Sequence, residues 1–218
     1  MRVIKYFLFV TVLMIASNTY AQNSLPENQQ NNNFRVGLFY SLDTNLSGDI
    51  ELNDEVGYRS KYNRNNFTAG LNLQYSINNN LALQSGINYS NRDFSGTYYC
   101  NVCDFVTSPQ QEEINLQFLQ VPAALKYSNY FNNLGFFGKI GVLNQFLVKE
   151  SNNYEFYELE ANSYSLSGVL GAGIAYNFGH GFSAALSANY SNRITQIFED
   201  ADYSYKTLGI QLNLSLEL

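Results

Sequence analysis

The chain has 218 residues, of which 45% are hydrophobic, 16% aromatic and only 14% charged, with 18 Tyr, 16 Phe, no Trp and a formal net charge of -6. That length fits one domain or one closed barrel. A mean hydropathy of -0.22 excludes a bundle of membrane-spanning helices, each needing about 20 mostly apolar residues in a row, and the acidic balance excludes ordinary nucleic-acid binding.

Arg2 and Lys5 precede an apolar run over residues 6–16, and Thr19, Tyr20 and Ala21 close it with a small-x-Ala ending. This pattern predicts a secretory signal peptide over residues 1–21, cleaved after Ala21. Gln22, not Cys, directly follows that point, which argues against a lipoprotein anchor. Residues 22–33 are polar, contain Pro26 and lack periodicity, and read as a flexible periplasmic lead-in to a domain over residues 34–218.

Eight alternating segments follow, at residues 34–42, 66–77, 81–91, 114–127, 135–147, 164–178, 182–192 and 207–218. In the last, Leu208, Ile210, Leu212, Leu214, Leu216 and Leu218 oppose Thr207, Gly209, Gln211, Asn213, Ser215 and Glu217. Successive side chains of a strand point to opposite faces, so this is the repeat of a wall with lipid outside and a polar lumen within. The fourth segment changes phase: Ile114, Leu116 and Phe118 share one parity, whereas Leu119, Val121, Ala123, Leu125 and Tyr127 share the other. Since a one-residue slip exchanges the faces, a β-bulge is predicted near Phe118 and Leu119, with Pro122 tolerated beside it.

Connections alternate in length. Residues 78–80, 128–134 and 179–181 are short, and 43–65, 92–113, 148–163 and 193–206 are long. Of the 18 Asp and Glu, 16 fall in the long connections, against seven Lys and Arg, and none falls in a short one. Lipid forbids charge on the outer wall at a cost of about 2–4 kcal/mol at its midplane, which explains acids gathered at one end. Tyr75, Tyr127, Phe136, Tyr176, Phe178 and Phe182 lie near the short turns, and Tyr40, Phe67, Tyr89, Phe146, Tyr164 and Tyr190 near the long loops. Two aromatic girdles are predicted.

The succession NFTAGLNLQYSINNNLALQSGINYS, FLQVPAALKY, GFFGKIGVL and SLSGVLGAGIAYNFGHGFSAALSANYS resembles the eight-stranded outer-membrane β-barrel domain family of Gram-negative bacteria, with porin-like members. The hydrophobic-Pro-hydrophobic-Lys-Tyr run at residues 121–127, followed by the Gly-containing strand at 136–142, carries the resemblance, which covers roughly residues 34–218. It implies an all-β, eight-stranded, antiparallel, up-and-down transmembrane barrel in the outer membrane, inserted by the barrel assembly machinery.

About eight strands enclose an interior that side chains can just fill. Arg35, Lys126, Lys139, Gln145, Gln211 and Glu217 are predicted to face that lumen and to plug it with hydrogen-bonded polar groups. The alternative is a narrow cation-lined pore for small solutes. Cys100 and Cys103 in CNVC predict a local disulfide, because further zinc ligands and a thioredoxin-like setting are missing. Asp43, Asn45, Ser47, Asp49 and Asp54 fall at calcium-loop spacing with Gly48 at the turn, which makes calcium the one candidate cofactor, weighed against an ordinary acidic surface loop. His180 sits in the turn FGHGF, away from the long loops, and no nucleophile-base set can be built, so no catalytic residue is assigned.

The reading is therefore a monomeric, non-enzymatic cell-envelope protein with a structural, surface-interaction or porin-like role. Its expected partners are outer-membrane lipid, lipopolysaccharide and an extracellular or envelope protein met through the loops, but not nucleic acid. A soluble periplasmic barrel that binds an apolar ligand remains open at this stage and requires apolar residues inside the ring.

Overall fold

A computed structural model describes residues 33–46, 48–62, 66–103, 111–153, 158–203 and 205–218. The predicted signal peptide and nearly all of the lead-in lie outside these residues. Ten strands appear in chain order: β1 Phe34–Asn45, β2 Ile50–Glu51, β3 Val56–Tyr62, β4 Phe67–Ser76, β5 Leu81–Cys100, β6 Gln111–Phe131, β7 Leu134–Asn152, β8 Tyr164–Gly179, β9 Phe182–Arg193 and β10 Lys206–Glu217. Eight of them form one closed antiparallel ring, β1-β4-β5-β6-β7-β8-β9-β10, in which β10 returns to β1. Closure leaves no open edge within the ring, as a wall in lipid requires.

Tight turns join the strands at one end. Asn78 Oδ1 accepts hydrogen bonds from the Asn80 and Leu81 amides at 2.9 and 2.8 Å. The β6–β7 turn shrinks to Asn132 and Asn133, because β6 continues to Phe131 where the sequence predicts a longer connection. Asn132 and His180 adopt positive φ (55° and 51°), as turn residues tolerate, and His180 is flanked by Gly179 and Gly181 in the same region.

At the other end the strands outgrow their predicted limits. β5, β6 and β7 have 20, 21 and 19 residues, about twice what crosses a bilayer. Much of the predicted 92–113 connection is a β-hairpin arm, and β3 pairs with β5 from Val56↔Cys100 to Tyr62↔Phe94, taking over where β4 stops. Backbone bonds between Glu51 and Asp202 (3.0 and 2.8 Å), and from the Glu199 amide to Glu160 (2.9 Å), tie the remaining segments into this collar.

The phase change in β6 has a different origin from the one predicted. Its even residues face inward without interruption: Ile114, Leu116 and Phe118 are at most 2% exposed, and so is Gln120, while Ala124, Lys126 and Ser128 below remain buried. A register shift does lie at Gln117/Phe118, but the extra residue is Val148 of β7, since Gln117 opposes Lys149 and Phe118 opposes Leu147. The strand keeps its orientation and its surroundings invert. Outside, polar Asn115 and Gln117 give way to exposed Leu119, Leu125 and Tyr127; inside, apolar residues give way to polar ones. The paired strand β5 switches at the same level, between Tyr89 and Asn91 outside and between Arg92 and Phe94 inside, with Tyr89 opposite Leu119 and Asn91 opposite Gln117.

Two bodies of opposite polarity are thus stacked along one ring. The lower has an exposed apolar belt, including Leu38, Ile87, Ile140, Leu170, Ile210 and Leu212, around an interior of Ser, Thr, Asn, Gln and Lys. This polar interior rules out the soluble, apolar-ligand barrel. The upper is a conventional hydrophobic core in which Ile50, Tyr58, Phe94, Ile114, Phe118, Phe198 and Tyr203 are essentially inaccessible. Aromatic rings border the belt on the collar side, where Tyr40, Phe67 and Tyr89 follow one another at 5.8 and 6.0 Å, and on the turn side, where Tyr176, Phe178 and Phe182 do so at 5.0 and 5.5 Å.

Because the collar and the belt rest on different forces, they separate under mutation. Phe94→Ala removes a buried ring, a change worth about 3–5 kcal/mol in a core. Limited proteolysis is expected to cut the collar segments at 158–163 and 194–203 faster, while the barrel keeps its heat-modifiable gel mobility.

Candidate functional site

Continuing the inward faces of β1 and β5 by a few residues brings two charges into the interior that the sequence analysis leaves in long connections. On β1, Arg35, Gly37, Phe39, Ser41 and Asp43 share a parity; on β5, Gln84, Asn88, Ser90 and Arg92 do. Arg92 Nη1 lies 2.6 Å from Asp43 Oδ2, with both side chains at most 7% exposed. Thr68 Oγ1 donates to Asp43 Oδ2 at 2.6 Å, Ser41 Oγ donates to Oδ1 at 2.7 Å, and Arg92 Nη2 donates to Thr68 Oγ1 at 3.0 Å. Such saturation lets an ion pair persist away from bulk water, where either partner left alone carries a large desolvation penalty. The dyad repeat itself, extended by one residue beyond each predicted segment, is the signal that locates this pair.

The six predicted lumen residues line the same interior. Arg35 meets Glu217 at 2.7 Å toward the turn end, Gln145 donates to Ser167 at 3.1 Å, and Asn189 donates to Gln211 Oε1 at 2.7 Å. Lys126 and Lys139 are cross-strand partners on β6 and β7. Lys126 Nζ donates to Gln74 Oε1 at 3.1 Å and stands 4.4 Å from the centre of the Phe137 ring, while Lys139 Nζ reaches Gln211 Oε1 at 3.4 Å. Free space is small: about 100 Å³ around Lys139, Asn189, Gln211 and the Asp43–Arg92 pair, and about 20 Å³ around Lys126, Arg35 and Tyr130, with Asn72 bordering both. Above the larger space sits the apolar core of the collar.

The stretch weighed as a calcium loop against an ordinary acidic surface loop is divided by the fold. Asp43 points into the lumen and is occupied by Arg92, and Asn45, the last residue of β1, donates to the Tyr203 hydroxyl at 2.6 Å. Ser47 lies outside the described residues. Asp49 accepts from the Ser60 amide at 3.2 Å, and Asp54 belongs to the β2–β3 turn, whose Asn53 side chain accepts from the Glu55 and Val56 amides at 2.9 Å each. The acidic, Gly- and Asn-containing composition therefore serves a strand end and a hairpin. Among the described residues no three His, Cys, Asp or Glu side chains gather as metal ligands.

Cys100 and Cys103 stand at disulfide distance at the tip of the β5 arm, with Cα atoms 5.4 Å apart. Of the acidic run at residues 155–160, only 158–160 are described: Leu159 is buried in the collar core while Glu158 and Glu160 flank it. Burial, and then the charges of these two glutamates, push the Glu150 carboxyl above its ordinary value, against hydrogen bonds from Asn152 and the Ala161 backbone that favour the charged form.

The sequence of the whole chain bears out the reading that its geometry suggests. Residues 7–217 match the family model for the outer membrane protein beta-barrel domain. The chain belongs to that family. No curated protein matches it. Among solved structures it is similar to the outer membrane protein OprG of Pseudomonas aeruginosa (13% identity, TM-score 0.53, covering 85% of this chain and 95% of that one) and to the outer membrane protein AlkL determined in lipid bilayers (12% identity, TM-score 0.52, covering 89% and 95%). At these identities the likeness concerns the fold. The exposed belt is accordingly the lipid-facing wall of this outer-membrane barrel, and the protein is not an enzyme: its family is that of a membrane barrel domain.

Two measurements probe the interior and the collar. Asp43→Leu strands the Arg92 guanidinium inside the barrel and is expected to cost about 3–5 kcal/mol in urea unfolding from lipid vesicles, much of it regained in Asp43→Leu/Arg92→Met. For Glu150 the folded state favours the neutral acid, so it binds the proton more tightly than the unfolded chain. Its contribution is favourable when protonated and is lost as pH rises from the ordinary carboxylate range through its raised folded value. Glu150→Gln should flatten that part of the pH-stability profile, read by collar proteolysis between pH 4 and 7.

Proposed function

We propose that this barrel is exported by cleavage after Ala21, inserted as a monomer by the barrel assembly machinery with both ends in the periplasm, and used as a closed outer-membrane platform for surface interaction. One observation supports this above all others: the hydrophobic core of the molecule lies in the collar, outside the lipid belt. A barrel needs no such core to span a membrane, and four long connections could have remained open loops. Here three strands are instead extended and welded by β2, β3 and the Glu51–Asp202 bridges into a folded display surface. Its outward charges are mostly acidic, with Asp49, Glu51, Asp54, Glu55, Glu113 and Glu199 among the exposed side chains. That chemistry suits a basic patch on an extracellular or envelope protein, or lipopolysaccharide phosphates bridged by divalent cations. The Cys100–Cys103 disulfide fits an oxidising compartment and closes the tip of the longest arm.

The same core disfavours the second reading, a small-solute channel. Phe94, Leu116, Phe118, Tyr203 and Tyr205, each at most 3% exposed, pack above the luminal space, and solute would have to displace them. Purified protein in planar bilayers is expected to give no stable single-channel steps. Regular steps that persist in folded protein would replace the platform with a pore. Membrane fractionation should recover the chain with heat-modifiable mobility, and a pull-down with the disulfide-intact barrel should capture a basic partner in a salt-sensitive manner. Titration of unreduced protein should find no free thiol.

A further inference from the structure

The membrane-level interior does not balance its charge. Its only carboxylates among the described residues are Asp43 and Glu217, and each is committed to an arginine, Arg92 and Arg35 respectively. Lys126 and Lys139 remain. They oppose each other directly across β6 and β7 on the inner face, an arrangement that brings like charges close and is unfavourable by itself. Gln74 and Gln211 accept their hydrogen bonds, and the Phe137 ring lies under Lys126, but amide oxygens and a ring face supply no net negative charge. The surroundings also make room for these side chains: a Cβ at position 171 would come within 2.7 Å of Lys139 Cε, so Gly171 keeps that space clear. Asn72 borders both internal spaces.

We propose that the lumen holds a small inorganic anion of halide size in the larger internal space, beside Lys139 and one cross-strand step from Lys126, as counterion to the lysine pair. The larger space, about 100 Å³, accommodates such an ion with water but no organic solute of ordinary size. The anion neutralises charge that the chain itself leaves uncompensated, and it binds only the folded barrel because the unfolded chain does not bring the two lysines together. The inference rests on the barrel interior alone and is independent of what the collar recognises.

Binding that is confined to the folded state raises stability with ligand concentration. Urea unfolding from zwitterionic lipid vesicles is therefore measured at constant ionic strength while sodium chloride replaces sodium gluconate. The wild-type midpoint is expected to rise steadily with chloride and to level off at saturation, whereas sulfate at matched ionic strength should raise it less. In Lys126→Gln/Lys139→Gln the chloride dependence is expected to disappear, and in the single variant Lys139→Gln to weaken, with heat-modifiable mobility confirming that each folds. A wild-type midpoint indifferent to chloride overturns the proposal, as does an equal chloride dependence in the double variant. If the double variant does not fold, the wild-type titration and Lys139→Gln decide the matter by the same criteria.

Discussion

Backbone hydrogen bonding in lipid is the constraint on which this structure depends. Within the apolar belt no water reaches the strands, so each amide and carbonyl must find a partner in a neighbouring strand, and only a ring closed by β1 with β10 and by β5 with β6 satisfies all of them. Closure fixes the alternation of faces. Alternation in turn forces leucine and isoleucine outward and leaves the interior to residues that can hydrogen-bond one another. The short Asn- and Gly-containing turns follow from the need to reverse the chain without losing register.

The lumen is consequently a polar core in a low-dielectric setting. Ion pairing there is not decorative. Arg92–Asp43, with Thr68 and Ser41 completing the carboxylate's hydrogen bonds, and Arg35–Glu217 at the opposite end hold charges that would otherwise oppose folding. Lys126 and Lys139 depart from this pattern, and their amide and aromatic neighbours satisfy geometry without supplying charge.

Above the belt the solvent changes and the same strands obey the opposite rule. Water surrounds the collar, so Ile114, Leu116, Phe118 and Phe94 turn inward to join Tyr58, Phe198 and Tyr203, and polar residues take the outer face. Continuous strands cross the boundary without reorienting, which makes the collar a rigid continuation of the wall. Two kinds of stabilisation therefore meet within one step along the inner face of β6, between Phe118 and Gln120.

The alternation of single segments was enough to indicate the eight strands and the closed antiparallel wall, because a two-residue repeat is local and lipid allows only one way to use it. Where the strands end was less legible: composition turns polar at the edge of the belt although the β-structure does not, so Asp43 and Arg92 read as loop residues and the 92–113 arm as a connection. The inversion in β6 is the clearest case. Sequence periodicity alone cannot distinguish a strand that flips from a solvent that changes around an unflipped strand, since both move the apolar residues to the other parity. Only the tertiary structure decided it, by placing Phe118 beside Phe94, Tyr203 and their neighbours in a core contributed by segments distant in the chain. In the same way it separated Asp43 from Asp49 and Asp54, because nearness in sequence means little once a strand carries one residue into the lumen and a hairpin leaves the others on the surface.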